Sequence, residues 1–460
     1  MGVYTTIDPA NGQEFARYPE ISDDELDVLI GSSANAYRSW RATDLEQRSL
    51  ALGRVAELYR EQSHELAKLL TLEMGKPIAQ AQGEVELVAS IYQYYADHAA
   101  EFMQDETLDI AGSGTAVVRT EPIGPLVGVM PWNYPYYQVA RFAAPNIALG
   151  NTIILKHARN CPQSALAIER VFLEAGLPTD VYRNAFVSSA QVAAAVADQR
   201  VQGVSLTGSE KAGSAVAEVA GRHLKKCVLE LGGSDPFIVL EDADIDIAAA
   251  AAVVGRLGNG GQACTASKRF LVDDSVYDEF VTKFVDGMAG WLPDDPTSPE
   301  TKLGPLASHA GVEEVDELVQ DALSRGAEAL LGGNRPEGVG AYYPPTVLAG
   351  VTREMRAFRE ELFGPVAVLY RTRSLDEAID LANDSPFGLS SSVFTSDPDK
   401  AGRVAEELET GMVWINGTSK TAPDLPFGGV KGSGFGRELA KFGLNEFANK
   451  KLVRNPKGMK

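Results

Sequence analysis

The feature that most limits how this chain can fold is a rhythm between Pro125 and Glu230, where short apolar runs alternate with stretches of helical periodicity. The runs at 126–130, 152–155, 185–187, 203–206 and 227–230 are too short for helices and lack the polar alternation of a strand with one wet face. They fit strands buried on both sides, and 164–175 and 211–224 suit the helices that cross between them, which together predict a parallel α/β sheet. A second α/β unit is expected after Gly233, with strands at 236–240, 269–272, 366–370 and 393–395 and helices at 315–325 and 375–383. Ahead of the first unit, 23–105 reads as helical: Ser22-Asp23-Asp24-Glu25 resembles an N-cap, and Val55, Leu58, Leu66, Leu69 and Leu70 recur at helical spacing. Residues 106–110 and 116–121 flank Ala111-Gly112-Ser113-Gly114 as a hairpin signal, and 446–454 is expected to be a final strand pairing with that ribbon. The glycine-rich stretch 426–434 is expected to be a loop.

Of the 460 residues, 45% are hydrophobic, enough to bury a large core in two or three domains. The sequence has no apolar run long enough to span a membrane, and its first residues lack the charged and apolar regions of a signal peptide, so a cytoplasmic enzyme is expected. A net charge of -21 disfavours nucleic acid and anionic membrane, which a polyanion repels. The three cysteines, Cys161, Cys227 and Cys264, fit neither a disulfide framework nor a thiolate metal site, and the scattered histidines offer no ligand spacing, so no metal is expected.

Cys264 stands apart from the other two, which read as small buried hydrophobes. It follows Asn259-Gly260-Gly261-Gln262-Ala263 and precedes Thr265-Ala266-Ser267, small residues that let a ligand approach a thiol. Glu230 ends an apolar strand before Gly232-Gly233, where a carboxylate can enter a cleft and act as a base; alone, it would read as a solvated strand-end acid. Asn133, between Trp132 and Tyr134 and flanked by Pro131 and Pro135, can donate an amide to an oxyanion or simply form a turn. Nucleophile, base and oxyanion donor together are the minimum for covalent catalysis at a carbonyl. Leu206-Thr207-Gly208-Ser209 followed by Gly213 supplies a strand, a tight turn and a helix N-terminus, the order a pyrophosphate site needs. Ser214-Ala215 stand where a nucleotide triphosphatase needs Lys-Ser/Thr. Lys156 fits a ribose and Arg159 a 2′-phosphate, or either fits a solvated charge at a helix start.

Taken in order, these motifs, with Glu361-Leu362-Phe363-Gly364-Pro365, Pro386-Phe387-Gly388-Leu389 and Pro426-Phe427-Gly428-Gly429 through Glu438, resemble the NAD(P)-dependent aldehyde dehydrogenase superfamily from Asp8 to the C-terminus. The wording, including Leu155-Lys156-His157-Ala158, looks most like its shorter bacterial succinate-semialdehyde dehydrogenase branch. The resemblance implies a Rossmann-type cofactor domain (1–105 and 123–229, with 426–440 contributing), an α/β catalytic domain (230–425) and a β-ribbon oligomerisation element (106–122 and 441–460). It further implies that Cys264 is the nucleophile, Glu230 the general base and Asn133 the oxyanion donor. Lys156, Ser209, Glu361 and Phe363 would hold the dinucleotide, with Trp132 and Gly208 shaping its site and Arg159 favouring NADP over NAD. The expected assembly is a homodimer or homotetramer.

For the aldehyde, Arg141 matches a position where succinate-semialdehyde enzymes carry an arginine for the distal carboxylate, and it is expected near the pocket mouth. Tyr134 is expected in the same pocket, with Ser419 and Lys420 in a loop that closes it. The chain departs from better-known members at Gly258, where they carry a second arginine, and at Ala266, where a second cysteine could form a disulfide switch. The expected reaction is oxidation of succinate semialdehyde to succinate. The alternatives are a broad-specificity aliphatic aldehyde dehydrogenase and, from another class, a catalytically silent binding or structural protein of the same fold. A coenzyme-A-dependent acylating enzyme fits less well, because Glu230 is available to activate water.

Overall fold

A computed structural model describes residues 2–456; the outermost residues of the expected domains, Met1 and 457–460, lie outside the described residues. Two open sheets form the framework. The six-stranded sheet runs in the order Gly434–Phe435, Lys226–Glu230, Gly203–Thr207, Pro125–Val129, Thr152–Lys156, Tyr182–Asn184, and all but the first of these strands are parallel. The seven-stranded sheet runs Glu328–Leu331, Thr346–Ala349, Val366–Thr372, Ser267–Asp273, Asp235–Val239, Ser390–Phe394, Met412–Ile415, with only Glu328–Leu331 antiparallel. Helices cover both faces, as buried parallel strands require.

The helix Tyr137–Leu149, buried at every residue, connects the central strands of the first sheet and carries Gln138 and Arg141. A layer of helices holds both its ends. At the N-terminus, the buried Glu84 of helix Ile78–Phe102 accepts from the Tyr136 and Tyr137 main-chain N–H groups at 2.9 and 3.1 Å, a carboxylate on the positive end of the helix dipole. Glu84 is itself ion-paired to buried Lys76. At the C-terminus, Trp40 Nε1 and Arg48 Nε donate to the carbonyls of Ile147 and Ala148 at 3.1 and 2.9 Å, satisfying groups the helix cannot pair internally.

The N-cap at Ser22 is a complete capping box with Glu25. Residues 185–187, expected as a strand, instead follow the strand Tyr182–Asn184. An N-terminal hairpin that the sequence did not announce, Val3–Ile7 against Glu14–Pro19, draws this segment away: Phe186 O accepts from Ile21 N, and Val187 exchanges bonds with the Tyr4 hydroxyl. The ribbon forms with a short first arm, Glu106–Thr107 against Thr115–Pro122, and Ala448–Asn455 pairs antiparallel with the second. The stretch 426–434 is not simply a loop. Val430–Lys431 pairs with Phe387–Gly388, and Gly434–Phe435 closes the edge of the first sheet beside Leu229 and Glu230.

Candidate active site

The segments that follow the C-terminal ends of the first sheet's strands open onto a cavity of about 500 Å³, the position where open α/β sheets bind ligands. Trp132, Asn133, Gly208, Ser209, Glu361 and Phe363 line it with Cys264, so seven sequence-predicted residues converge. Trp132 meets Phe363 edge-on, with ring centroids 5.6 Å apart. Ser209 caps the helix Glu210–Arg222, leaving that helix N-terminus facing the cavity. A Cβ on Gly232 would fall 2.7 Å from Glu361 Oε2, a side-chain end that can shift, whereas one on Gly233 would lie 2.5 Å from the main-chain oxygen of Cys264, so close approach fixes the second glycine. A glycine-walled arm with a helix N-terminus and aromatic flanks suits a dinucleotide.

Cys264 sits between a tight turn and the strand Ser267–Asp273. Asn259, Gly260 and Gly261 all have positive φ (55°, 65° and 72°), a left-handed winding that asparagine tolerates and glycine adopts freely. A Cβ on Gly261 would also lie 2.5 Å from Arg256 Nη2. The turn is stitched to the 131–135 segment: Asn259 Nδ2 donates to Asn133 O at 2.9 Å, and Asn133 Nδ2 donates to Gln262 O at 3.0 Å. The Asn133 amide expected to face an oxyanion therefore spends one N–H on the nucleophile loop, which fixes it beside Cys264 and leaves its second N–H. Burial pushes the Cys264 thiol up to about 12; Arg141 and Lys268 pull it down, while Glu361 and Glu230 push it further up.

Glu230 is 1% exposed, and neither carboxylate oxygen has a hydrogen-bond partner among the described residues. Burial holds its pKa well above the usual carboxylate range against the pull of Arg141. An unpartnered carboxylate of raised proton affinity is a stronger base than an exposed one. The glycine-rich segment makes room for it: a Cβ on Gly428, whose φ is 153°, would lie 2.8 Å from Glu230 Oε1.

Three expected residues stand elsewhere than predicted. Arg141 is fully buried rather than at the mouth. It is ion-paired to Glu438, donates to the Tyr137 hydroxyl and Thr207 Oγ1 at 3.2 Å each, and stacks over Phe427. A helix with no wet face cannot present a side chain to solvent. Lys156 is the last residue of the strand Thr152–Lys156 and Arg159 follows three residues on; both stand outside the residues that line the cavity. Burial and neighbouring Arg159 lower Lys156 to about 8, while Arg159, half-exposed, is ion-paired to Glu20. Tyr134 lies edge-on to Tyr137 with Lys76 Nζ 3.7 Å from its ring centre. Ser419 is half-buried and Lys420 exposed; their loop reaches the same network through Thr421 Oγ1, 3.2 Å from the Tyr137 hydroxyl.

Sequence reasoning missed Lys268, Glu84 with Lys76, and the pairing of Glu438 with Arg141. Only Glu438 lay within a quoted motif. Arg256, near the departure at Gly258, is buried and donates to the carbonyls of Gly261 and Ser267 at 2.6 and 3.2 Å, so it braces the nucleophile loop rather than meeting substrate.

The family model for the aldehyde dehydrogenase family matches residues 2–453. The chain is 52% identical to a protein of Deinococcus radiodurans described as succinate-semialdehyde dehydrogenase (NADP+), over 98% of this chain and 94% of that one. It is 46% identical to a protein of Paenarthrobacter nicotinovorans described as aldehyde dehydrogenase, over 97% and 98%. Among solved structures, a succinic semialdehyde dehydrogenase from Streptococcus pyogenes in complex with NADP+ superposes with a TM-score of 0.97 at 42% identity, over 98% and 100%.

Proposed function

This chain belongs to the aldehyde dehydrogenase family, and on that premise we propose that it oxidises succinate semialdehyde to succinate with NADP as electron acceptor. The observation that carries the reading is the convergence of Cys264, Asn133 and the glycine-walled arm in one cavity, with the bare carboxylate of Glu230 buried on the strand beside Thr207, one of its lining residues.

Cys264 gives up its thiol proton to solvent and its Sγ attacks the aldehyde carbon as thiolate, breaking the C=O π bond to form a C–S bond and an oxyanion. The free N–H of the Asn133 amide and the Cys264 main-chain N–H stabilise that charge as it develops. When bound, NADP supplies the acceptor for the hydride that leaves as the carbon–oxygen double bond re-forms, and a thioester remains on Cys264. Glu230 then takes a proton from water, the hydroxide adds to the thioester carbonyl, and the C–S bond breaks to release succinate. Trp132, Gly208, Ser209, Glu361 and Phe363 would hold the dinucleotide within the cavity, and Lys156 and Arg159, beyond its lining, would meet its ribose and 2′-phosphate, the latter in competition with Glu20. Buried Arg141 acts electrostatically from inside: its positive charge bears on Cys264 and Glu230 and favours an anionic substrate, with Tyr134, Ser419 and Lys420 at the outer side.

The ion pair between Arg141 and Glu438 also favours a second reading, a broad-specificity aliphatic aldehyde dehydrogenase, because a guanidinium already paired exerts less selection. Steady-state kinetics on succinate semialdehyde and butanal with NADP and NAD decide between them. A kcat/KM for succinate semialdehyde no higher than for butanal overturns the first reading.

The exposed strand Ala448–Asn455, with Leu452 at 60% exposure, supports a homodimer or homotetramer built on that edge. The proposed division follows the layers: a cofactor-binding domain (1–105, 123–229 and 426–440), a catalytic domain (230–425) and an oligomerisation element (106–122, 441–460). Three free cysteines support a cytoplasmic location. Among the described residues, no helix is long and apolar enough to cross a membrane and no cluster of side chains could hold a metal.

A further inference from the structure

Lys268 lies four residues beyond the nucleophile and is 1% exposed. Its ammonium donates to the main-chain carbonyls of Cys264, Ala263 and Ala266 at 2.8, 3.1 and 3.3 Å, and it stands 3.0 Å from Glu361 Oε1. An ammonium has only three N–H donors, so these four oxygens saturate it and hold it in one place. Glu361 faces two ways. Oε1 takes the ammonium and the Gly233 N–H at 3.1 Å, while the carboxylate is exposed enough, at 19% of its side chain, to line the cavity. A buried cation is costly unless its partners compensate, and main-chain carbonyls alone would serve a neutral donor as well. Lys268 places a full charge against the nucleophile's own peptide, and its counter-charge is the one member of the group that a ligand can reach.

We propose that Lys268 and Glu361 form a charge clamp on the nucleophile loop, through which occupation of the cofactor arm controls the reactivity of Cys264. Lys268 is the positioning residue of the pair. It rests on the reading of Cys264 as nucleophile and of Glu361 as a cofactor-facing group. With the arm empty, Glu361 neutralises most of the ammonium's effect. Hydroxyl donors arriving at Glu361 draw its charge away from Lys268, and the thiol then feels the cation more strongly. The other charged groups that act on the thiol are Arg141, which is paired to Glu438, and Glu230; Asp235 acts on Lys268 and Glu361, Arg256 on Glu361 and Asp235, and Arg269 on Asp235; none of these lines the cavity as Glu361 does.

The test is the pH profile of iodoacetamide alkylation of the full-length enzyme without cofactor, with peptide mass spectrometry assigning the label to Cys264 rather than Cys161 or Cys227. Lys268→Met moves the profile to higher pH and slows alkylation at pH 8 by about tenfold, the equivalent of one pK unit. Glu361→Gln, an isosteric change at a partly exposed side chain, moves it the opposite way. ADP-ribose 2′-phosphate, which carries both riboses but no nicotinamide ring, shifts the wild-type profile in the Glu361→Gln direction and leaves Glu361→Gln itself unmoved. The clamp is refuted if Glu361→Gln keeps the wild-type profile, if a folded Lys268→Met does so, or if the probe moves both proteins alike. None of these readouts involves an aldehyde, so an enzyme that alkylates as described yet fails to oxidise succinate semialdehyde refutes the functional reading and leaves the clamp standing.

Discussion

The two arms of the pocket are built by different means. The cofactor arm is made largely of main chain: the turn after Thr207, the cap at Ser209 and the glycines at Gly232 and Gly233 depend on local backbone geometry, most tightly at Gly233, where a Cβ would lie 2.5 Å from the main-chain oxygen of Cys264. The aldehyde arm is made of charged and hydroxyl side chains borrowed from distant elements: Arg141 from a buried helix, Glu438 from the C-terminal segment and Thr421 from the 416–425 loop. Backbone constraints are local and tightly specified, whereas a charge network works only when every partner is present. The first arm should therefore respond to substitution by losing ligand, and the second by losing stability or selectivity. Chemistry at the junction should respond most of all.

At that junction, Cys264→Ala abolishes aldehyde oxidation while leaving NADP binding intact, as fluorescence titration of the variant will show. Glu230→Gln lowers turnover by about 10²–10⁴-fold, the usual contribution of a general base. Because this substitution spares the attack by sulfur, the thioester accumulates, and intact-protein mass spectrometry of the quenched reaction detects a succinyl adduct on Cys264. A variant equally slow but free of adduct would place Glu230 before the hydride step instead.

The same contrast governs what could be read from the sequence. Asn259-Gly260-Gly261 and Gly232-Gly233 announce their roles because only small residues accept positive φ or close approach, and so Cys264, Asn133 and Glu230 could be picked out together. The parallel strands were legible from their unbroken apolar runs. The 185–187 run deceived because its partners, Tyr4 of the N-terminal hairpin and Ile21 just beyond it, lie more than a hundred residues away in sequence. Lys268 and Lys76 carry no local signal, since a lysine is ordinarily solvated and its burial depends on Glu361 or Glu84 being brought to it by the fold. Arg141 was found through resemblance, but its depth was not: Tyr137–Leu149 is too uniformly buried for periodicity to say which way any residue points.

Within the aldehyde arm, Arg141→Met leaves Glu438 buried and unpaired, and loss of one partner of a buried pair costs about 3–5 kcal/mol. Its thermal midpoint in differential scanning calorimetry falls accordingly, and a double change with Glu438→Gln recovers part of the loss. Asp235 gives the comparison a pH axis. Burial raises its folded pKa to about 7, well above the ordinary aspartate range, with Lys268 pulling back. A carboxyl raised on folding favours the native state most below its unfolded pKa, and that contribution disappears as pH climbs through the folded value. Urea midpoints of the wild type should thus decline between pH 4 and 7 by more than those of Asp235→Asn. Parallel curves for the two proteins would show that other groups set the slope.

The mildest effects are expected at the outer edge of the cofactor arm, where Arg159 and Glu20 pair with the arginine side chain 47% exposed. Such a pair contributes about 0–1 kcal/mol to stability, so Glu20→Gln should barely move the unfolding midpoint. Its effect should appear in cofactor choice. Glu20 competes with any 2′-phosphate for the same guanidinium, and removing its charge should raise the ratio of kcat/KM for NADP over NAD by a few-fold, while Arg159→Gln should reduce it. Charge-assisted bonds to phosphate are directional and partly shielded here by Tyr4, whose ring centre lies 5.2 Å from the guanidinium carbon. If neither substitution changes the ratio, discrimination between the cofactors lies with Lys156 or the main chain around it, and this edge of the arm is side-chain-tolerant in the way the aldehyde arm is not.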